Sequence, residues 1–216
     1  MMNSGKNKLF YSVLDEDRIK LLDKLSAFKD NFYLAGGTAL ALQIGHRISV
    51  DFDFFTSDHF ENEKLIKTLK TIFDEYAITI IQNEIDTLTV LLNDRIKISF
   101  FNLPYKNILP LIDTKFFNLA QIKEIAIMKF LALFRATYKD YVDLYFILKN
   151  NHLKELIALA KTKHPEFDEA TYVRALISYD DIDDFPISFM PGYEISRDKV
   201  FSFIELKTVE YIKSTG

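Results

Sequence analysis

The sequence of 216 residues contains no cysteine and no tryptophan. The absence of cysteine excludes disulfide bonds, thiolate metal sites and catalysis by a thiol, and it is consistent with a reducing compartment. The N-terminal region lacks an apolar run long enough for a signal peptide or a membrane span, so we expect a cytoplasmic protein with no membrane partner. In place of tryptophan there are 20 Phe and 11 Tyr, which predict an aromatic-rich core or an aromatic surface for a partner.

An excess of positive charge is also missing. The formal net charge is −4, which argues against a protein coated in positive charge for non-specific nucleic-acid binding. A local basic patch that binds one RNA end remains compatible with this balance. The hydrophobic fraction of 49% and the charged fraction of 27% are those of an ordinary soluble globular protein of one or two domains.

Hydrophobic periodicity divides the chain into a first half of alternating helices and strands and a mostly helical second half. We therefore predict an α+β fold, with a mixed β-sheet core over residues 1–110 and a mainly α-helical C-terminal domain over residues 111–216. A turn is predicted at Asn93 and Asp94, and an exposed acidic segment at residues 180–186. The predicted helices are 14–30, 38–45, 62–76, 119–134, 139–150, 151–164 and 197–213, and the predicted strands are 31–37, 49–55, 77–82, 86–92 and 95–101.

Two aspartates interrupt the apolar stretch SVDFDFF. In a strand, residues two apart point to the same face, so Phe52 and Phe54 share one face with Val50, and Asp51 and Asp53 share the other. Two carboxylates this close repel each other unless a cation lies between them or one is protonated. Oxygen ligands without nearby His or Cys suit Mg²⁺ or Mn²⁺, although a half-exposed strand with an acidic outer face is an alternative interpretation.

Two glycines lie between an apolar strand and the helix that follows it. Gly36 and Gly37 allow the backbone to approach a phosphate, and Thr38 adds a hydroxyl and is a plausible N-cap of the helix. The free N–H groups and the dipole at a helix N-terminus attract anions. A plain strand-to-helix turn is the alternative interpretation. However, a phosphate site and a metal-binding carboxylate pair on neighbouring strands together indicate a site for a nucleoside triphosphate and its metal ion.

A second group of charged residues lies in the helical half. Lys129 is a lone cation within the apolar stretch EIAIMKFLALF, so it needs a carboxylate or phosphate partner unless it extends to the helix edge. Asp140 and Asp143 are three residues apart and therefore share a helix face. From the residues alone, a solvated face is the favoured interpretation of Asp143.

The stretch YLAGGTALALQIGHRISVDFDFF, joined with MKFLALFRATYKDYVDLYFI, resembles the AbiEii/AbiGii toxin family over roughly residues 30–150. Members of this family are nucleotidyltransferase-like toxins of type IV toxin–antitoxin and phage-defence systems. The order of strand, Gly-Gly, helix, strand and Asp-x-Asp also looks like the minimal nucleotidyltransferase core of the DNA polymerase β type. The resemblance implies a nucleotidyltransferase-like sheet core whose active site is completed by the helical half.

The resemblance also implies roles for individual residues. Lys129 matches a lysine that contacts the nucleotide phosphates, and Asp140 matches an acidic residue needed for activity, with Asp143 one helical turn later. The first motif carries the phosphate-binding turn and the metal-binding pair, at Gly36, Gly37, Thr38, Asp51 and Asp53.

Three more residues are candidates for the site. Arg47 is a candidate partner for Asp51 or Asp53, or for the triphosphate, so a structural ion pair and a catalytic role are both open. His46 is a candidate base, although a hydrogen-bonded structural histidine is the favoured interpretation. Arg135 has the same ambiguity as Arg47.

One position departs from the polymerase β pattern. Such enzymes supply a third carboxylate from a later strand, whereas the corresponding stretch RIKISFF has Ser99. Either Asp140 supplies the third carboxylate or the metal binds more weakly, and the identity of the general base is open.

The sequence hypothesis is a Mg²⁺- or Mn²⁺-dependent transfer of a nucleotide from an NTP to RNA, with tRNA as the implied acceptor and an antitoxin protein as the implied partner. The alternatives are a transferase that acts on a small molecule or a protein, and a non-catalytic nucleotide-binding module.

Overall fold

The computed structural model describes residues 8–179, 182–183 and 185–215. In this part of the chain, seven strands form one mixed sheet and eight α-helices pack around it. The strands are β1 (Tyr33–Ala35), β2 (Phe52–Thr56), β3 (Ile78–Glu84), β4 (Thr87–Leu92), β5 (Ile96–Asn102), β6 (Ile112–Asp113) and β7 (Asn118–Leu119). The helices are α1 (Glu16–Leu25), α2 (Gly36–Ile44), α3 (Asn62–Ile72), α4 (Ile122–Ala132), α5 (Tyr138–Leu148), α6 (Leu153–Lys163), α7 (Glu169–Ala175) and α8 (Arg197–Thr215).

The sheet has the strand order β3-β4-β5-β2-β1-β7-β6. At its centre β2 is antiparallel to β1 and parallel to β5, while β3, β4 and β5 form the predicted antiparallel meander. The two-residue strands β6 and β7 lie beyond the predicted boundary at residue 110 and still join this sheet, because β7 pairs with β1. The predicted α+β architecture with a helical second half is confirmed, and the division at residue 110 stays a prediction.

The alternation in β2 separates a core face from an acidic face. Phe52 and Phe54 are fully buried, and the ring of Phe54 stacks on Phe100 of β5 with centroids 5.4 Å apart. On the opposite face Asp53 and Phe55 are only partly buried. Val50 precedes the strand and is exposed, so its predicted place on the core face is wrong. The phenylalanine pattern thus fixes which side of the sheet carries the carboxylates.

Helix α2 begins earlier than predicted. It starts at Gly36, whose φ of +70° lies in the left-handed region that favours glycine. Thr38 is therefore inside the first turn, and its predicted role as N-cap is wrong. Its hydroxyl instead donates to the carbonyl of Asp51 and lies 2.8 Å from the hydroxyl of Ser49. These bonds tie the start of the helix to the segment that leads into β2.

Short elements account for the other differences. Helix α7 and the strands β6 and β7 were not predicted, and the helix predicted at 14–30 consists of α1 with a 3₁₀ turn after it. Asn93 and Asp94 both have positive φ, which confirms the predicted turn. Within the acidic segment 180–186, Asp180, Asp181 and Asp184 lie outside the described residues, and Ile182 is buried. No helix in the described part of the chain has both the length and the hydropathy needed to cross a membrane.

The two faces of β2 differ in their expected contribution to stability. Phe54→Ala removes a fully buried ring, so we expect it to lower the free energy of unfolding by about 3–5 kcal/mol. Phe55→Ala on the partly buried face is the matched control and should cost clearly less. Urea unfolding followed by circular dichroism measures both, and equal losses would contradict the assignment of the two faces.

Candidate functional site

A cleft of about 1120 Å³ lies between the acidic face of the sheet and the helices α4 and α5. It contains most of the residues singled out from the sequence, contributed by β2, the start of α2, α4 and the start of α5. Five cationic and four acidic side chains line it: Arg47, Lys97, Lys129, Arg135 and Lys139 against Asp51, Asp53, Glu84 and Asp140.

The carboxylates of Asp51 and Asp53 form part of the cleft floor. Asp51 pairs with Lys97 of the neighbouring strand β5, with Nζ 2.9 Å from Oδ2, and Asp53 stands opposite Ser99 in the parallel pairing. Burial raises the pKa of Asp53, the charge of Lys97 opposes this shift, and the charge of Asp51 adds to it. The pair is thus only partly neutralised by the protein itself.

Gly36 and Gly37 lie at the start of α2, where neighbouring side chains leave little space for a Cβ atom. A Cβ on Gly36 would lie 3.2 Å from Oδ2 of Asp53, and one on Gly37 would lie 2.6 Å from a guanidinium nitrogen of Arg47. The first turn of α2 has no side-chain cap, so its N–H groups are available to an anion in the cleft. This arrangement places a potential phosphate site directly beside the carboxylate pair.

One interpretation of the sequence was an ion pair between Arg47 and Asp51 or Asp53. The structure shows a different partner. Its Nε and Nη2 donate to the two carboxylate oxygens of Asp143, at 2.7 and 2.8 Å, in a bidentate pair. His46 lies 2.8 Å from the same carboxylate and is fully buried, in agreement with a structural histidine. Burial lowers the pKa of His46 although Asp143 opposes the shift, so the ring is neutral near pH 7.

Asp143 is fully buried, so its interpretation as a solvated residue is wrong. It forms a second ion pair with Lys129, whose Nζ lies 2.6 Å from Oδ2 of Asp143 and 2.7 Å from Oδ1 of Asp140. Burial alone would raise the pKa of Asp143, but the charges of Arg47 and Lys129 outweigh it and hold that pKa well below its usual value. The carboxylate is therefore ionised, and Lys129 has the buried acidic partners that its sequence environment required.

The other oxygen of Asp140 accepts a bond of 3.0 Å from Arg135. The side chain of Arg135 is 66% exposed, so it marks the point where the buried network reaches the cleft. Both oxygens of Asp140 are thus engaged by cations. Among the described residues no three His, Asp or Glu side chains cluster closely enough to share one metal ion, so Asp140 does not complete a carboxylate triad with Asp51 and Asp53.

The donor set of the carboxylate pair fits a small hard cation. Mg²⁺ is commonly bound through one or two carboxylates, with water and substrate phosphate oxygens as its other ligands. Asp51 and Asp53 supply those two carboxylates, and the cleft beside them has room for a phosphate chain. The residues present therefore fit Mg²⁺ or Mn²⁺ without a third acidic ligand.

Lys97 is a residue of the cleft that the sequence analysis missed. The alternation in RIKISFF places Lys97 and Ser99 on one face of a strand, which was a usable signal. What the sequence did not reveal is that β5 lies parallel to β2, which brings Lys97 beside Asp51 and Ser99 beside Asp53.

The buried network predicts a pH-dependent loss of stability. Asp143→Asn leaves Arg47 and Lys129 without their shared anion, so we expect a loss of about 3–5 kcal/mol at pH 7. Because the pKa of Asp143 is depressed in the folded protein, its contribution is present above the unfolded-state pKa of about 3.9 and is lost as the pH falls through the folded-state pKa. The difference between the two proteins should therefore shrink below about pH 4.

Urea unfolding between pH 7 and pH 3 measures this difference. The exposed Asp58→Asn is the control and should change stability little at any pH. A variant at position 143 as stable as the parent at pH 7 would contradict the proposed role of the network.

The chain has recognisable relatives. Residues 20–191 match the family described as nucleotidyl transferase AbiEii toxin, type IV TA system. An uncharacterized protein of Aquifex aeolicus (strain VF5), aq_aa25, is 35% identical over an alignment of 199 residues, and the match covers 86% of this chain and 90% of that protein.

Two solved structures are similar in fold, each with 18% sequence identity. JHP933 from Helicobacter pylori superposes with a TM-score of 0.57 over 93% of both chains. A candidate nucleotidyltransferase from H. pylori superposes with a TM-score of 0.56 over 93% of this chain and 96% of its own. With the family match covering most of the sequence, this chain belongs to the AbiEii nucleotidyltransferase toxin family.

Proposed function

We propose that this protein transfers a nucleoside monophosphate from an NTP to a hydroxyl group of RNA, with Mg²⁺ or Mn²⁺ as cofactor. The observation that carries the proposal is the shared cleft: the start of α2, the carboxylates of Asp51 and Asp53, and the ammonium group of Lys129 all line it. Those three features respectively suit a phosphate chain, a divalent cation and a negatively charged phosphate oxygen.

The phosphates are assigned to the start of α2. The backbone N–H groups at Gly36 and Gly37 and the helix dipole act on the β- and γ-phosphates. An ammonium group has three N–H bonds, and Lys129 gives two of them to Asp140 and Asp143. The third is available to a phosphate oxygen, so the two aspartates orient the lysine towards the nucleotide.

Arg47 is assigned a positioning role. Its guanidinium lies beside Gly37, donates to both carboxylate oxygens of Asp143 and also donates to the carbonyl of Ile48. Arg47 thereby fixes Asp143, which in turn holds Lys129. The exposed Arg135 also lines the cleft, where it can contact an incoming polyanion.

In the proposed reaction the acceptor oxygen forms a bond to the α-phosphorus as the bond to pyrophosphate breaks, and the acceptor hydroxyl gives up a proton. Asp51 and Asp53 would hold the metal ion, which supplies charge neutralisation for the phosphate oxygens and the leaving group when bound. The ion pairs among Arg47, Asp143 and Lys129 hold the ammonium group of Lys129 in the same cleft as Asp51 and Asp53.

The proposed cellular role is that of the toxin in a type IV toxin–antitoxin pair, with an antitoxin protein as partner, a part in phage defence and action in the cytoplasm. The family description supports the toxin assignment, and tRNA is the acceptor that the family resemblance implies. The exposed cations Arg135 and Lys139 in the lining of the cleft support a polyanionic acceptor. On α6, Lys163 is buried and pairs with Glu124, and Lys161 pairs with Glu169, so neither lysine adds unpaired positive charge for RNA binding.

Ser99 supports a second candidate function, namely nucleotide binding without catalysis. It occupies the position beside Asp53 where a third carboxylate would act as base or ligand. A protein that binds Mg²⁺–NTP and transfers nothing would have this function.

Asp53→Ala should abolish metal-dependent NTP binding and leave the fold intact, because it removes half of the carboxylate pair. Isothermal titration with Mg²⁺ and each NTP measures the binding, and circular dichroism checks the fold. Asp58→Ala is the matched control, since Asp58 is exposed and lies outside this cleft. Unchanged NTP binding by Asp53→Ala would overturn the site assignment.

Label transfer separates the two candidate functions. Incubation with each labelled NTP, Mg²⁺ and total RNA should attach label to RNA, and Asp53→Ala should attach none. Tight NTP binding with no label transfer to RNA, protein or small molecules would exclude the enzyme and favour the binding module.

A further inference from the structure

A row of aromatic rings crosses the cleft-side face of the sheet. Tyr33 of β1 is paired with Phe55 of β2, and Phe55 with Phe101 of β5. The rings stack on one another, with centroids 6.0 Å apart at 30° for the first pair and 5.2 Å apart at 29° for the second. This row is separate from the core stack of Phe54 and Phe100, which lies on the opposite face.

The row lies one step along the strands from the carboxylates. Phe55 and Phe101 follow Asp53 and Ser99 by two residues on the same faces, a separation of roughly 6.7 Å. Both rings line the cleft and are only partly buried. The reacting centre assigned to Asp51 and Asp53 is therefore within the length of one nucleotide of the rings.

The stack ends at Phe101. The residue opposite Phe101 on the next strand, β4, is Thr87, which is too small to continue a row of rings. The cleft borders this position, because Gln82, Glu84 and Thr89 line it and Glu84 is the neighbour of Thr87 on β3. A flat apolar group placed above Thr87 would extend the stack against Phe101, with polar side chains within the same part of the cleft.

In-line displacement decides which group occupies this place. β1 runs antiparallel to β2, so α2 begins beside Asp53, whereas Tyr33 and Phe55 lie at the other end of that pairing. If pyrophosphate leaves towards the start of α2, the attacking hydroxyl must approach from the opposite side of the α-phosphorus. That side is the side of the aromatic row.

We infer that Phe101, supported by Phe55 and Tyr33, binds a nucleobase at the acceptor end of a single-stranded RNA by stacking. The inference rests on the proposed function, because it takes the position of the phosphates from it. Stacking on aromatic rings accepts every base, so the site supplies affinity and orientation rather than sequence readout.

The absence of tryptophan from the chain provides a direct assay. Phe101→Trp introduces a single fluorophore at the proposed contact, and a stacked base should quench it. The probes are single-stranded oligoribonucleotides of about eight residues, Mg²⁺–NTP, and inorganic tripolyphosphate. Phe203→Trp is the control, because Phe203 is partly buried in α8 and does not line the cleft.

We expect quenching of Phe101→Trp by the oligoribonucleotides and none by NTP or tripolyphosphate, with no response of Phe203→Trp to any probe. Phe101→Leu should raise the Kd for the oligoribonucleotides about tenfold, equivalent to about 1.4 kcal/mol, with the Kd for NTP unchanged. Thr87→Phe fills the proposed place with a ring and should weaken RNA binding in the same way.

Quenching by NTP alone would overturn the inference by assigning the row to the base of the NTP. If Phe101→Leu and Thr87→Phe both bind RNA with the affinity of the parent protein, the inference would also be overturned, even if RNA quenches the fluorescence of Phe101→Trp. A failure of the proposed function would look different: the parent protein would bind no Mg²⁺–NTP in the titration or would transfer no label from it, independently of the RNA-binding measurements.

Discussion

The buried carboxylate of Asp143 is the interaction on which the rest of the site depends. It receives Arg47 and His46 from the segment after α2 and Lys129 from α4, while it belongs itself to α5. Burying an ion is costly unless strong partners surround it, and removal of any partner leaves the others uncompensated. The contact therefore fixes the sheet half and the helical half relative to each other at the wall of the cleft.

This constraint separates two pairs of aspartates that look alike in the sequence. Asp140 and Asp143 are neutralised by the buried Lys129, together with the exposed Arg135 on Asp140, and they hold Lys129 in place. Asp51 pairs with Lys97, and both Asp51 and Asp53 line the cleft, which leaves them able to accept a cation from solution. Asp140 and Asp143 position the charge of Lys129, whereas Asp51 and Asp53 are available to bind a cation.

The sequence predicted what depends on local periodicity. The alternation of SVDFDFF predicted that Asp53 and Phe54 lie on opposite faces of the sheet, as they do. The apolar surroundings of Lys129 required an acidic partner, which the structure provides. The partner of Arg47 was beyond reach, because Asp143 lies 96 residues away and no local pattern encodes that contact.

The remaining misses have related physical causes. Thr38 has the chemistry of an N-cap, but Gly36 can adopt a positive φ, so the helix starts two residues earlier and the hydroxyl serves a tertiary contact instead. β6 and β7 have two residues each, too few for any periodicity to indicate a strand. They exist because β1 offers an edge for pairing.

The composition left open whether the many phenylalanines form a core or an aromatic surface. Strands β2 and β5 do both, because their alternation sends Phe54 and Phe100 into the core and Phe55 and Phe101 into the cleft. The register that stacks the buried pair also stacks the cleft pair, since both belong to the same parallel ladder. Core packing therefore sets the spacing between the aromatic row and the carboxylates.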